Sequence, residues 1–219
     1  MAELLVPWVK EADGLFSLEE IGSILTNYRE PHLVNELNWA GYTYKPVTKF
    51  WMGCGPSEIV LHFEVEEDSV RTEFGKTGDP VYRDSCVEFF INPGDDTYFN
   101  FETNAVGTRY AARGHDREDS TPFFLNQIET IRRTASLGHS PFGERPGRSS
   151  WTLTLGIPLR FFTGTELSHP FGKSFKGNFY KCGDDTLTPH YVSWNPIGTA
   201  QPDFHRPDYF GKITFAPMA

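Results

Sequence analysis

Alternation of apolar and polar residues runs through most of the chain. In residues 59–65, Ile59, Leu61, Phe63 and Val65 share one face. A period of two is that of a β-strand with one buried side. The pattern returns at 86–91, 98–105, 151–157 and 212–215. Between the second and third of these runs, Asn92-Pro93-Gly94-Asp95-Asp96 carries turn chemistry and predicts a hairpin. The Gly/Pro-rich residues 141–147 read as a loop. Helical spacing occurs convincingly only near the start, where Ser17-Leu18-Glu19-Glu20 forms a capping-box pattern ahead of Ile21, Ile24 and Leu25. That helix is short and predicted to be peripheral.

Many short strands without long helices between them predict an all-β fold, an antiparallel β-sandwich of jelly-roll-like form with a short N-terminal helix. There is no internal repeat or linker, so residues 1–219 read as a single domain, with 1–40 an N-terminal extension bearing the helix. The stretch from Phe161 to Tyr209 is weakly patterned and rich in Gly, Pro, His, Asn and Asp. Together with the loop before Cys86 it is where a site is expected.

Composition narrows the function. A formal charge of −9 excludes a phosphate-backbone partner, which requires a basic footprint. No run approaches the ~18 apolar residues of a membrane span. Residues 1–10 lack the basic region and apolar run of a secretion leader, so a cytoplasmic location is expected. A secreted or periplasmic chain trimmed of its leader would read the same. Cys54, Cys86 and Cys182 are an odd set without CxxC spacing, which fits free thiols. The 19 Phe, 9 Tyr and 5 Trp serve equally as β-core filler or as stacking surfaces.

Sugar rings present C–H faces that stack on aromatic rings and hydroxyls that need paired donors and acceptors. Residues 79–109 hold that mixture. Tyr82 sits in a polar loop, and Glu88 lies on the face of its strand opposite Val87 and Phe89. On the hairpin partner Asn100, Glu102 and Asn104 form a polar stripe opposite Phe99, Phe101 and Ala105, and Arg109 follows as an available partner for Glu88. By spacing alone the stripe is either a solvated outer face or a binding face, and Trp194 either a core plug or a stacking platform.

Five stretches carry a resemblance: 81–91 (VYRDSCVEFFI), 98–107 (YFNFETNAVG), 177–182 (GNFYKC), Ser193-Trp194-Asn195-Pro196 and 204–207 (FHRP). Across most of the chain beyond about Ala40, they are similar to the family 9 carbohydrate-binding modules and their stand-alone bacterial relatives. The resemblance implies a non-catalytic β-sandwich for polysaccharide utilisation that holds a mono- or oligosaccharide between two aromatic rings. The family's first stacking aromatic, usually Trp, falls on Tyr82 and its second on Trp194, with the acidic contact on Glu88 and the basic one on Arg109. It also implies a structural calcium, for which Asp95, Asp96, Asp184 and Asp185 are candidate ligands. A glycoside-processing protein is a partner the family reading allows.

Other readings use the same residues. Glu88 and Glu102 would be the acid and nucleophile of a glycosidase, which needs carboxyls about 5–5.5 Å apart for retention or about 6.5–9.5 Å for inversion. His190, His205, Asp203 and Cys182 would be a metal set, although their spacing matches no ligand pattern. A haem site would have to draw on Met52 or Met218. A protein-interaction module would use the exposed aromatics as anchors.

Overall fold

The computed structural model describes residues 1–218, the side chain of Tyr28 excepted. In chain order the elements are β1 (Glu3–Val6), helix α1 (Leu18–Tyr28), β2 (His32–Leu33), β3 (Glu36–Leu37), β4 (Val47–Cys54) and β5 (Glu58–Thr72). Then come β6 (Cys86–Asn92), β7 (Tyr98–Asn104), β8 (Arg109–Gly114), β9 (Thr121–Pro122), the single turn α2 (Leu125–Ile128) and β10 (Arg132–Ala135). The chain closes with β11 (Phe142–Pro158), β12 (Ser174–Cys182), β13 (Tyr191–Ser193) and β14 (Gly211–Phe215).

The strands make two facing sheets. The larger runs β1-β14-β12-β6-β7-β8-β9, with β13 on β12 and β3 on β13; the smaller runs β10-β11-β5-β4-β2. Every pairing between these strands is antiparallel except β1 with β14. This is the antiparallel sandwich that the alternation predicts. Its core is built from the odd-numbered residues of β6 and β7, Val87, Phe89, Ile91, Phe99 and Phe101, against Phe50, Phe63, Trp151 and Leu153 of the smaller sheet. Phe179 of β12 stacks on Phe50 across the sheets, centroids 3.8 Å apart. Each such ring, buried whole, contributes about 1.5–3 kcal/mol.

The opposite face of the larger sheet is covered too. Cys86, Phe90, Tyr98, Tyr180 and Cys182 form a second apolar cluster with Trp39, Ile197, Phe204 and Phe210, contributed by the N-terminal segment and the 190–210 loop. A third cluster seats α1 on the outside of the smaller sheet, with Leu18, Ile21 and Leu25 against Trp51 and Val60. The predicted capping box closes that helix: Ser17 Oγ accepts from the Glu20 N–H at 3.2 Å, and the Ser17 N–H donates to Glu20 Oε2 at 3.0 Å. The first forty residues supply β1 and β3 to one sheet and β2 to the other.

Two expectations about loops are corrected. Residues 141–147 fall largely within β11, whose pairing with β5 shifts register between Phe142 and Arg145 and again between Pro146 and Ser149; such bulges accommodate Pro and Gly inside a strand. The stretch 161–209 contains β12, which lies at the centre of the larger sheet between β6 and β14, and β13. Its residues 174–182 mix Lys, Gly and Asn into the alternation, which hides the strand. The predicted hairpin turn is present, with Gly94 at φ +104°, a conformation that favours glycine.

Candidate functional site

A cleft of about 650 Å³ opens on the outer face of the larger sheet. Glu88, Asn100, Glu102 and Cys182 lie in its floor, and Tyr42, Tyr82, Tyr110, Tyr191 and Phe204 contribute aromatic wall. Pairing of β6, β7, β8 and β12 sets the floor. Glu88 is the register partner of Glu102, and Glu102 of Tyr110; Cys182 is the partner of both Cys86 and Tyr191. All lie on the face turned away from the core, because side chains alternate along a strand.

The floor is acidic. Glu88 Oε1 accepts the Cys182 thiol at 3.1 Å, and Glu102 Oε1 accepts from Asn100 Nδ2 at 2.9 Å. Burial is the main force holding the Glu88 carboxyl well above its usual range, and Cys182 and Glu102 add to it. Glu102 is pushed up to about 7, chiefly by burial, against the opposing hydrogen bond from Asn100. Asp184, also lining the cleft, is raised to about 6, again mainly by burial. Asn100 Oδ1 and Glu102 Oε2 are buried without a hydrogen-bond partner. Such acceptors carry a desolvation penalty that a donor-bearing ligand would relieve.

The structure brings Tyr82, Glu88, Asn100 and Glu102 together at the cleft. Tyr82 is on the wall, 42% exposed, while the other three are buried in the floor. The polar stripe is therefore a covered surface rather than a solvated one. The remaining three expected residues lie elsewhere. Asn104 is consumed by structure: its Nδ2 donates to the Phe74 carbonyl and to Asp84 Oδ2, and its Oδ1 accepts from the Val106 and Thr108 N–H groups.

Arg109 does not orient Glu88. It pairs with Thr103 on the core-side parity of β8, and its guanidinium donates to the Ile131 carbonyl at 2.6 Å. Trp194 is a core plug, 7% exposed and edge-on to Phe50 and Phe179 at 6.1 and 5.7 Å. In both places the register decides. Tyr110, next to Arg109, and Tyr191, of opposite parity to Val192 and Trp194, are the residues that reach the cleft.

Tyr42, Tyr110, Tyr191 and Arg117 also line the cleft, and no local pattern in the sequence marks them. Arg117, on the cleft wall, donates to Asp203 Oδ1 at 3.2 Å and supplies a cation there. Nothing separates it from its neighbours in the polar run 115–119. Tyr191 meets Tyr42 edge-on at 4.7 Å, a contact between residues too far apart in sequence for a local pattern to reveal.

The four candidate calcium ligands do not converge. Asp95 pairs with Arg113 and Asp96 with His115, while Asp185 pairs with Arg83 and Asp184 faces the cleft. The His190, His205, Asp203 and Cys182 set is dispersed among other partners: Lys181 for His190, the Tyr98 hydroxyl for His205, Arg117 for Asp203 and Glu88 for Cys182. Met52 is packed in the core.

A two-sheet sandwich with an acid-floored, tyrosine-walled cleft on one face defines a small-ligand-binding module. The chain belongs to carbohydrate-binding family 9, whose sequence profile matches residues 23–215. A proposed carbohydrate-binding protein of Bacteroides uniformis is 38% identical, with a TM-score of 0.88 over 97% of this chain and 98% of that one. Two structures of a family 9 module from Caldicellulosiruptor kristjanssonii share the fold at 12% identity. The complex with glucose has a TM-score of 0.65 over 100% of this chain and 97% of that one. The complex with cellotriose has a TM-score of 0.62 over 100% and 95%. No curated protein matches the chain.

Proposed function

We propose that the cleft binds a mono- or oligosaccharide and leaves it chemically unchanged. The observation that carries this reading is the pair of buried, unpartnered acceptors, Asn100 Oδ1 and Glu102 Oε2, beneath aromatic walls. Sugar hydroxyls are donors of the kind those atoms need, and tyrosine rings suit the C–H faces of a pyranose. Tyr82 and Tyr191 are the stacking rings, Glu88, Asn100 and Glu102 the acceptors, and Arg117 the donor at the wall. Family membership supports the ligand class, as do the glucose and cellotriose held by the Caldicellulosiruptor modules.

Glu88 and Glu102 are neighbours on one floor. A glycosidase pair flanks the scissile bond from two sides, so both carboxyls here suit holding hydroxyls better than cleaving between them. Calorimetric titration with glucose, xylose, galactose, cellobiose, xylobiose and their alditols tests the reading. Saturable heat that is lost in Asn100→Ala is expected, without turnover of aryl glycosides. Silence across the panel would favour a protein-binding face, and turnover would make the module an enzyme.

A further inference from the structure

Beneath the cleft, three groups converge that sugar binding uses only in part. Cys86 and Glu88 stand two residues apart on β6 and so on one face, and Cys182 of β12 is the register partner of Cys86. Both sulfur atoms and a Glu88 carboxylate oxygen lie within 4.8 Å of one another, and all three residues are buried. Cys182 Sγ lies 3.1 Å from Glu88 Oε1. Tetrahedral zinc with thiolate bonds of about 2.3 Å sets its ligand atoms roughly 3.5–3.8 Å apart. The observed separations, from 3.1 Å to at most 4.8 Å, bracket that spacing.

The charge around them is unbalanced. Glu88, Glu102 and Asp184 have no ion pair among the described residues. Lys181, the next residue before Cys182, turns to the other face and pairs with Glu67. Both thiols are raised by burial, Cys86 to about 12, so protons are what neutralise the cluster when nothing else is bound. A divalent cation would take the place of those protons.

We infer that Cys86, Cys182 and Glu88 form a three-ligand site for a soft divalent cation of the zinc class, with a fourth coordination position facing the cleft. Two thiolates select such an ion over calcium or magnesium, which take oxygen ligands. The open position follows from the lining: Glu88 and Cys182 reach the cleft surface and Cys86 lies behind them. Binding releases the thiol protons to solvent as the metal–sulfur bonds form. A cation there would also present a Lewis acid to any oxygen lodged in the cleft. The site does not depend on the saccharide reading, since a cleft without sugar affinity could hold the ion and a sugar-binding cleft could lack it.

The test is titration of the full, reduced chain with Cd2+ and Co2+, followed by thiolate-to-metal charge-transfer absorption, with Zn2+ as displacing ion. One equivalent of either ion giving a thiolate band is expected, with release of thiol protons, and Zn2+ should remove the Co2+ band. Cys86→Ser and Cys182→Ser should abolish the band, Glu88→Gln should weaken binding at least tenfold, and Cys54→Ser should leave it intact. Absence of a thiolate band in the wild-type chain overturns the site, even if a cysteine variant does not fold. So does a band that survives in either Cys86→Ser or Cys182→Ser. Sugar titration of the same sample reports on the other reading separately.

Discussion

Glu88 and Glu102 face each other across β6 and β7 in the floor of the cleft, both buried and neither paired with a cation among the described residues. Two carboxyls in that position cannot both ionise cheaply. Their protonation is thereby tied to whatever occupies the cleft, and that of Glu102 to pH near neutrality.

Replacing Glu102 with Gln should change two pH profiles together. Folding raises the Glu102 pKa to about 7, above its ordinary 4.5, mainly by burial. A raised carboxyl stabilises the fold below its unfolded value and loses that contribution as pH rises through its folded one. Denaturant unfolding at pH 4.5, 6 and 8 should therefore show Glu102→Gln gaining on the wild type as pH rises. Saccharide affinity should move oppositely in the wild type, weakening as pH falls below about 7 and the carboxylate acceptor is lost, and be weaker and flatter in the variant. A parallel pair of stability curves would mean that folding does not raise the Glu102 pKa.

Tyr191→Ala and Trp194→Ala should separate binding from stability. Tyr191 lies on the cleft wall and Trp194 in the core against Phe50 and Phe179. Removing the tyrosine ring should weaken saccharide binding by about 1–3 kcal/mol, with a small change in melting temperature. Removing the indole should cost about 3–5 kcal/mol of folding free energy, with affinity retained in the fraction that folds. The reverse pattern would place Trp194 at the ligand.

These two residues also show what could be read before the structure. Alternation gave β6, β7 and the face on which Glu88, Asn100 and Glu102 sit, because each strand has a clean period of two. It failed where a strand is short or interrupted: β13 is three residues long, and β8 follows directly on a glycine turn, so the parity of Trp194 and Arg109 could not be fixed locally. A one-residue error in parity moves a side chain from one face to the other. Tyr42 and Arg117 enter the cleft through loops whose path is set by packing at long range, for which no local pattern exists. The capping box of α1, by contrast, is wholly local and was legible from Ser17 and Glu20.

Ser17→Ala should lower stability by about 1 kcal/mol, since it leaves the Glu20 N–H without its acceptor at the start of α1. Saccharide affinity should be unchanged, because α1 packs on the smaller sheet, away from the cleft. Equilibrium urea unfolding reads the first and calorimetry the second. A loss of affinity would couple the helix to the site.

Lys181 and Glu67 join the two sheets through a fully buried ion pair at 2.9 Å. The ammonium also donates to His190 Nε2 at 2.8 Å and to the Cys182 carbonyl at 2.9 Å, while Glu67 Oε1 accepts from the Trp151 indole at 2.6 Å. His190 Nδ1 faces the Thr188 carbonyl, which can only accept, so the ring is neutral with its proton on Nδ1. Burial and the nearby ammonium keep its pKa well below the ordinary value. Lys181→Met strands the Glu67 carboxylate in the core and should cost about 3–5 kcal/mol. Adding Glu67→Gln keeps an acceptor for Trp151 and removes the stranded charge, so the double variant should recover much of the loss. Urea unfolding of the wild type, both single variants and the double variant closes the cycle. A double variant no more stable than Lys181→Met would mean that the loss does not come from the stranded Glu67 carboxylate.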